Sequence, residues 1–200
     1  MTESTPSLID ARKRELRRRV GEHRRAIDPG PRADASRAAA WHGLRALPWR
    51  ERRRVALFWP LLDEIDTLPL LHALHWLGAE PLLPRMQGRG RPLVFHRWTP
   101  DLDLIEGPFR VREPPPGLPP VLPEIVLAPL LAFDAHGNRL GYGAGFYDVT
   151  FAAISAAGGD PIRCGLCFAG QEVEEVPADV NDIPLQQVVT EAGWRSLGED

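Results

Sequence analysis

The chain has 200 residues, 44% of them apolar, and a formal net charge of −3. That length suits one domain with a full-sized core, and the mild acidity argues against general affinity for nucleic acid or anionic membrane. No apolar run reaches the length of a membrane span and the polar, then basic, amino terminus lacks a secretion-signal pattern, so a cytoplasmic, monomeric protein acting on small molecules is expected.

Ser7 to Ile27 predicts a helix, with Ser7 as N-cap and Leu8, Leu16, Val20 and Ile27 on one face. Its basic cluster reads three ways: a nucleic-acid footprint, a solvated face, or a local set in which Lys13, Arg14 and Arg17 point at a bound nucleotide. Lys13 is the single lysine among 24 cationic side chains, and an ammonium meets phosphate differently from a guanidinium fork. A second helix is expected over Ala33 to Leu47, ending before Pro48. Arg54 to Trp59 reads as a buried strand, then come the acids Asp63, Glu64 and Asp66, a helix over Leu68 to Leu77 stopped by Gly78, and a strand at Glu80 to Pro84. This is βαβ spacing, which implies a parallel pair with ligands beyond the carboxyl ends of the strands. Phe58, Trp59 and Glu64 fall at such an end, although acids there also suit a helix cap.

His72 and His75, at i and i+3, suit an amphipathic surface better than a metal site. Arg85, Arg89, Arg91 and Arg97 flank a strand expected at Leu93 to Trp98. The proline run Pro114 to Pro123 reads as a stiff connection into the next strand. Cys164 and Cys167 lie in a strand expected over Ile162 to Phe168, where positions three apart face opposite sides, so inert core thiols are favoured over a redox or zinc pair.

The most informative stretch is Phe133 to Asp148, between an apolar run from Ile125 to Phe133, which reads as a buried strand, and a helical pattern. Gly141, Gly143 and Gly145 give a backbone whose N–H groups can converge on an anion, and the helix after them adds its unpaired donors and dipole. Arg139 stands beside this cradle and Asp148 one turn into the helix, a set that suits a phosphate chain with a metal ion. No Walker lysine follows, and Phe146 occupies the third glycine position of a dinucleotide fingerprint. A glycine-rich turn built on Asp134, Gly137 and Asn138 is the plainer alternative.

As a whole string, Phe-Asp-x-x-Gly-x-Arg-Leu-Gly-x-Gly-x-Gly-Phe-Tyr-Asp resembles the signature of the 5-formyltetrahydrofolate cyclo-ligases. Lys13-Arg14-Glu15-Leu16-Arg17, Asp63-Glu64-Ile65-Asp66-Thr67, Phe109 to Pro114, and Val176 to Glu191 resemble further segments of that family, in order along nearly the whole chain. The resemblance implies one α/β domain over residues 1–200, a three-layer α/β/α sandwich with a mainly parallel sheet like that of the NagB/RpiA/CoA-transferase architecture. It implies ATP and Mg²⁺, with no dedicated nucleophile. ATP would meet Lys13, Arg14 and Arg17 on the first helix and Arg139, Leu140, Gly141, Tyr142, Gly143, Ala144, Gly145, Phe146 and Tyr147 in the loop. Phe58, Trp59, Glu64, Phe109, Tyr142 and Phe146 would hold the folate, whose pterin edge of N–H donors suits a carboxylate and whose face suits an aromatic. Asp148 and Asp182 would hold the metal, with Lys13, Arg139 and Asp148 nearest the chemistry. Val149, Leu130 and Asn181 replace a common arginine, glycine and histidine, and Tyr142 and Ala144 stand where some relatives are basic. A different enzyme of like architecture, acting on a sugar phosphate or CoA ester, is the alternative.

Overall fold

The computed structural model describes residues 8–61 and 63–198; the expected cap Ser7 lies outside them. Helix α1 spans Leu8–Arg25 and buries Lys13, Leu16, Val20, Gly21 and Arg24. The expected face was therefore partly wrong. Leu8 is exposed, and two cations share the inward stripe with Leu16 and Val20. Helix α2, Pro29–Ala46, starts earlier than expected, because a first-turn proline lacks only an N–H that the helix cannot pair anyway.

Strand β1 (Arg54–Ala56), α3 (Leu68–Trp76) and β2 (Glu80–Arg85) form the predicted unit, and β1 and β2 pair in parallel, Arg54 opposite Glu80. Strand β3 (Val94–Arg97) pairs antiparallel to β2. The proline-rich connection follows its outer side, with Val121 N–H donating to the Phe95 carbonyl at 2.9 Å. Strands β4 (Ile105–Glu106) and β5 (Arg112–Glu113) form a small ribbon. The apolar run from Ile125 is not one strand but two. Strand β6 (Ile125–Ala128) stops before Pro129, and β7 (Ala132–Phe133) pairs with β8 (Arg139–Leu140) as a separate hairpin. Helix α4 (Phe146–Ala156), β9 (Ile162–Leu166), β10 (Gln187–Thr190) and β11 (Gly193–Ser196) complete the chain.

The main sheet has the order β11-β10-β9-β6-β1-β2-β3, with four adjacent parallel pairs at its centre and antiparallel strands at both edges. The middle strand β6 is apolar and buried throughout because both faces of the sheet are covered there. Val55, Leu57, Ile125 and Leu127 pack toward α2 and α3. Ala56, Val126 and Ala128 pack toward Phe151 and Ile154 of α4. That is the three-layer sandwich. Leu16 and Val20 of α1 close a third cluster over the β7–β8 hairpin. No helix among the described residues is long and apolar enough to cross a membrane.

One feature of this order places the site. Strands β1 and β6 are parallel neighbours, Val55 opposite Ile125. From β1 the chain leaves through α3 toward β2, and from β6 it leaves through α4 toward β9, in the opposite direction along the sheet. Right-handed crossovers running opposite ways put their helices on opposite faces, which opens a crevice where the two carboxyl ends meet.

Candidate active site at the strand switch

A cavity of about 340 Å³ lies in that crevice. The segment after β1 contributes Phe58, Trp59, Leu61 and Glu64; the segment after β6 contributes Pro129, Arg139, Gly141, Tyr142 and the start of α4 through Asp148. Pro84, Met86, Leu93, Phe109 and Val111 form the remaining, apolar wall. A flat apolar slot with a few convergent polar groups is the usual form of a small-molecule site.

Glu64 is the polar centre of one end. It is 6% exposed; Leu61 N–H donates to its Oε2 at 2.8 Å and the Tyr142 hydroxyl donates to its Oε1. Burial pushes its carboxyl above the usual range, against the pull of those two donors and of Arg24. The capping alternative belongs to its neighbour: Asp66 accepts from Leu68 N–H at the start of α3. Burial and the charge of Glu64 push the Tyr142 and Tyr147 hydroxyls up as well, so both stay protonated.

The other end is built by the hairpin and the glycine loop. Asp134 is fully buried and accepts from His136 N–H, Asn138 N–H, Asn138 Nδ2 and Val176 N–H, each at 2.9–3.0 Å. The turn reading is thus correct for this part of the motif, and the turn delivers Arg139. The Arg139 guanidinium lies 5.8 Å from the Tyr147 ring centroid and 5.7 Å from that of Phe151. Its Nη2 donates to Asp148 Oδ1 at 2.8 Å, while its buried Nη1 has no acceptor. A buried unpaired donor costs about 1–3 kcal/mol, and Arg139 is among the residues that line the cavity. Gly143 and Gly145 take φ of +99° and +68°, which side chains resist; at Gly141 an added Cβ would meet only open space.

The predicted residues divide into three groups. Phe58, Trp59, Glu64, Phe109, Arg139, Gly141, Tyr142, Ala144, Gly145, Phe146, Tyr147 and Asp148 all line the cavity. Phe109 does so from its rim, 73% exposed, at φ +59°. Lys13, Arg17 and Gly143 stand behind the loop: Arg17 Nε donates to the Gly141 carbonyl at 2.9 Å, and a Cβ on Gly143 would meet its guanidinium at 3.5 Å. Lys13 Nζ lies 2.6 Å from Asp182 and 2.9 Å from Asp179. Leu140 and Arg14 face elsewhere; Leu140 is buried under α1 and its carbonyl accepts from Leu131 N–H, while Arg14 is exposed.

Asp148 and Asp182 are joined through Ile183, whose N–H donates to Asp148 Oδ1 at 3.1 Å. Each carboxylate already meets a cation through one oxygen, which leaves the other as a hard donor. Mg²⁺ takes one or two such oxygens besides phosphate and water, so the pair fits that ion. Among the described residues no group of three His, Cys, Asp or Glu side chains converges. Arg85 and Arg97 are paired with Glu113 at 3.2 Å and Glu80 at 3.0 Å.

Sequence reading missed Arg24, which is 3% exposed behind Glu64. The signal was present: residue 24 continues the helical spacing of Leu16 and Val20. It also missed Asp179 as a second partner of Lys13, because proximity across the fold leaves no local pattern.

The fold places an apolar cavity with a few polar groups at a sheet switch point, the usual seat of a small-molecule site in α/β enzymes. The model of the 5-formyltetrahydrofolate cyclo-ligase family matches residues 9–191, and the chain belongs to that family. The 5-formyltetrahydrofolate cyclo-ligase of Escherichia coli is 32% identical over 86% of this chain and 96% of its own. That of Haemophilus influenzae is 29% identical over 89% and 97%. The 5,10-methenyltetrahydrofolate synthetase of Aquifex aeolicus superposes with a TM-score of 0.79 at 29% identity, covering 94% of both chains.

Proposed function

We propose that the protein uses ATP to convert 5-formyltetrahydrofolate to 5,10-methenyltetrahydrofolate, ADP and phosphate. The observation that carries this is the single cavity with Glu64 and Trp59 at one end and Arg139, Asp148 and the glycine loop at the other. The reduced pteridine would lie against Trp59 and Phe109, with its N–H edge on Glu64 once the Tyr142 hydroxyl gives way. The triphosphate would lie along Gly141 to Tyr147, its terminal phosphate on the unpaired Arg139 Nη1.

The formyl group is an amide, too stable for N10 of the same molecule to expel its oxygen as hydroxide. Transfer of the γ-phosphoryl group to the formyl oxygen makes an iminophosphate and turns that oxygen into a leaving group. N10 then attacks the formyl carbon and gives up its proton to solvent or the departing phosphate, the ring closes, the C–O bond breaks, and the oxygen departs on phosphate. The protein's part is placement and charge neutralisation. Arg139 and the loop N–H groups hold the transferred group, and Lys13 has a third N–H donor beyond the two spent on Asp179 and Asp182. Asp148 and Asp182 would hold Mg²⁺, which supplies charge to the developing phosphate when bound. Mixing the pure protein with 5-formyltetrahydrofolate should give growth of methenyl absorbance that requires ATP. Growth without ATP, or ATP turnover indifferent to folate, would overturn the reading.

A further inference from the structure

Arg24 reaches the back of the ring pocket from the last turn of α1. Its Nε and Nη2 lie 3.1 and 3.0 Å from the two carboxylate oxygens of Asp63, a side-on fork. Nη1 donates to the Leu130 carbonyl at 3.5 Å and lies 4.0 Å from Glu64 Oε1. The guanidinium carbon is 5.5 Å from the centroid of the Tyr142 ring, whose hydroxyl occupies the same Glu64 oxygen. One buried cation thus touches the loop after β1, the loop after β6 and the glycine loop.

We propose that Arg24 is a positioning residue for substrate recognition, keeping Glu64 ionised and aimed into the cavity so that the carboxylate can accept from the ring edge. This rests on the assignment of Glu64 to the pteridine. The need is physical. Glu64 faces a wall of Phe58, Trp59 and Met86, where a lone carboxylate takes up a proton, and a carboxylic acid spends one oxygen as a donor. Around Glu64 stand Leu61 N–H and Asp63 from its own loop, Tyr142 from the glycine loop, Tyr147 from α4 and Arg24 from α1. The tyrosines are neutral and Asp63 carries the wrong sign, which leaves Arg24 as the cation of that set. Asp63 anchors the fork, and the nitrogen left over faces Glu64.

The test is equilibrium binding of 5-formyltetrahydrofolate to the full chain by calorimetry, from pH 5 to 9. Arg24→Met should move the acid limb of folate binding to higher pH, and below that limb affinity should fall about tenfold for each unit of upward shift in the Glu64 pKa. The loss should shrink as pH rises and Glu64 regains its charge. Arg24→Lys should restore most of the affinity and the wild-type pH profile. In a Glu64→Gln background, Arg24→Met should add less than about twofold, because the two act through one carboxylate. ATP affinity should stay unchanged throughout. A folded Arg24→Met with wild-type affinity and profile, or one equally damaging beside Glu64→Gln, overturns the proposal. If Arg24→Met does not fold, Asp63→Asn decides: removing that like charge should move the acid limb of folate binding to lower pH, and an unmoved limb overturns the role. Failure of Glu64→Gln itself to weaken folate would instead defeat the pteridine assignment, and Arg24's role with it.

Discussion

The two ends of the cavity handle charge in opposite ways. At the β1 end a single carboxylate sits among apolar walls, its hydrogen bonds coming from neutral donors and its cation 4.0 Å away. At the β6 end three carboxylates are matched with cations at contact distance: Arg139 with Asp148, Lys13 with Asp179 and Asp182. A neutral ring can enter the first end simply by adding contacts and replacing one tyrosine hydroxyl. A polyanion entering the second would share Arg139 and Lys13 with those acids, which could then take a further cation of their own. On the proposed reading the glycine-loop end would take anion and metal together, while the ring end would select by shape and donors. Tyr142 belongs to both, since it sits in the glycine loop and spends its hydroxyl on Glu64.

That contrast can be broken from the charged end first. Asp148→Asn removes the acid from the Arg139 pair, and a fall in kcat/KM of about 10²–10³-fold is expected by methenyl absorbance; an intact rate would remove Asp148 from the chemistry. Asp134→Ala leaves the donors from His136, Asn138 and Val176 unpaired under the hairpin, so a loss of about 2–4 kcal/mol of stability is expected in urea unfolding. At the ring end, Glu64→Ala should raise the folate KM about tenfold while the ATP KM holds; equal effects on both would erase the distinction between the ends. The smallest effect concerns the Lys13 latch. The Asn181 N–H, and then Lys13, hold the Asp179 carboxyl below its ordinary 3.8, so its contribution is whole above that pH and is lost as acid protonates it. Burial works against the Lys13 charge, but its hydrogen bonds to Asp182 and Asp179 win and raise it above 10.5, so its share is lost only in strong base. The melting difference between wild type and Asp179→Asn should be flat from pH 5 to 9 and shrink as pH falls through the lowered Asp179 pKa, at about 1 kcal/mol or less because the acid is partly exposed.

Elements whose cause is local were legible in the sequence. The β1–α3–β2 unit, the start of α4 after Gly145 and the opposite facing of the two cysteines follow from periodicity, glycine and strand geometry. The break of the Ile125 run was signalled by Pro129 and overlooked, because a continuous apolar stretch reads the same whether one strand or two. The neighbouring of β1 and β6, which makes two distant motifs share a cavity, is a long-range pairing with no local mark. Lys13 was singled out by its rarity; Arg24 was hidden among like residues, although the helix repeat points it inward.

Cys164 packs with the α2–α3 side of the sheet and Cys167 with the α4 side, both almost wholly shielded, and burial pushes both thiols up. The sulfurs thus report on the integrity of both layers at once, since an alkylating reagent can reach them only when packing gives way. The pace of labelling in native buffer becomes a clock for whole-chain opening. Added nucleotide and folate should slow that clock together, with no foreign probe introduced.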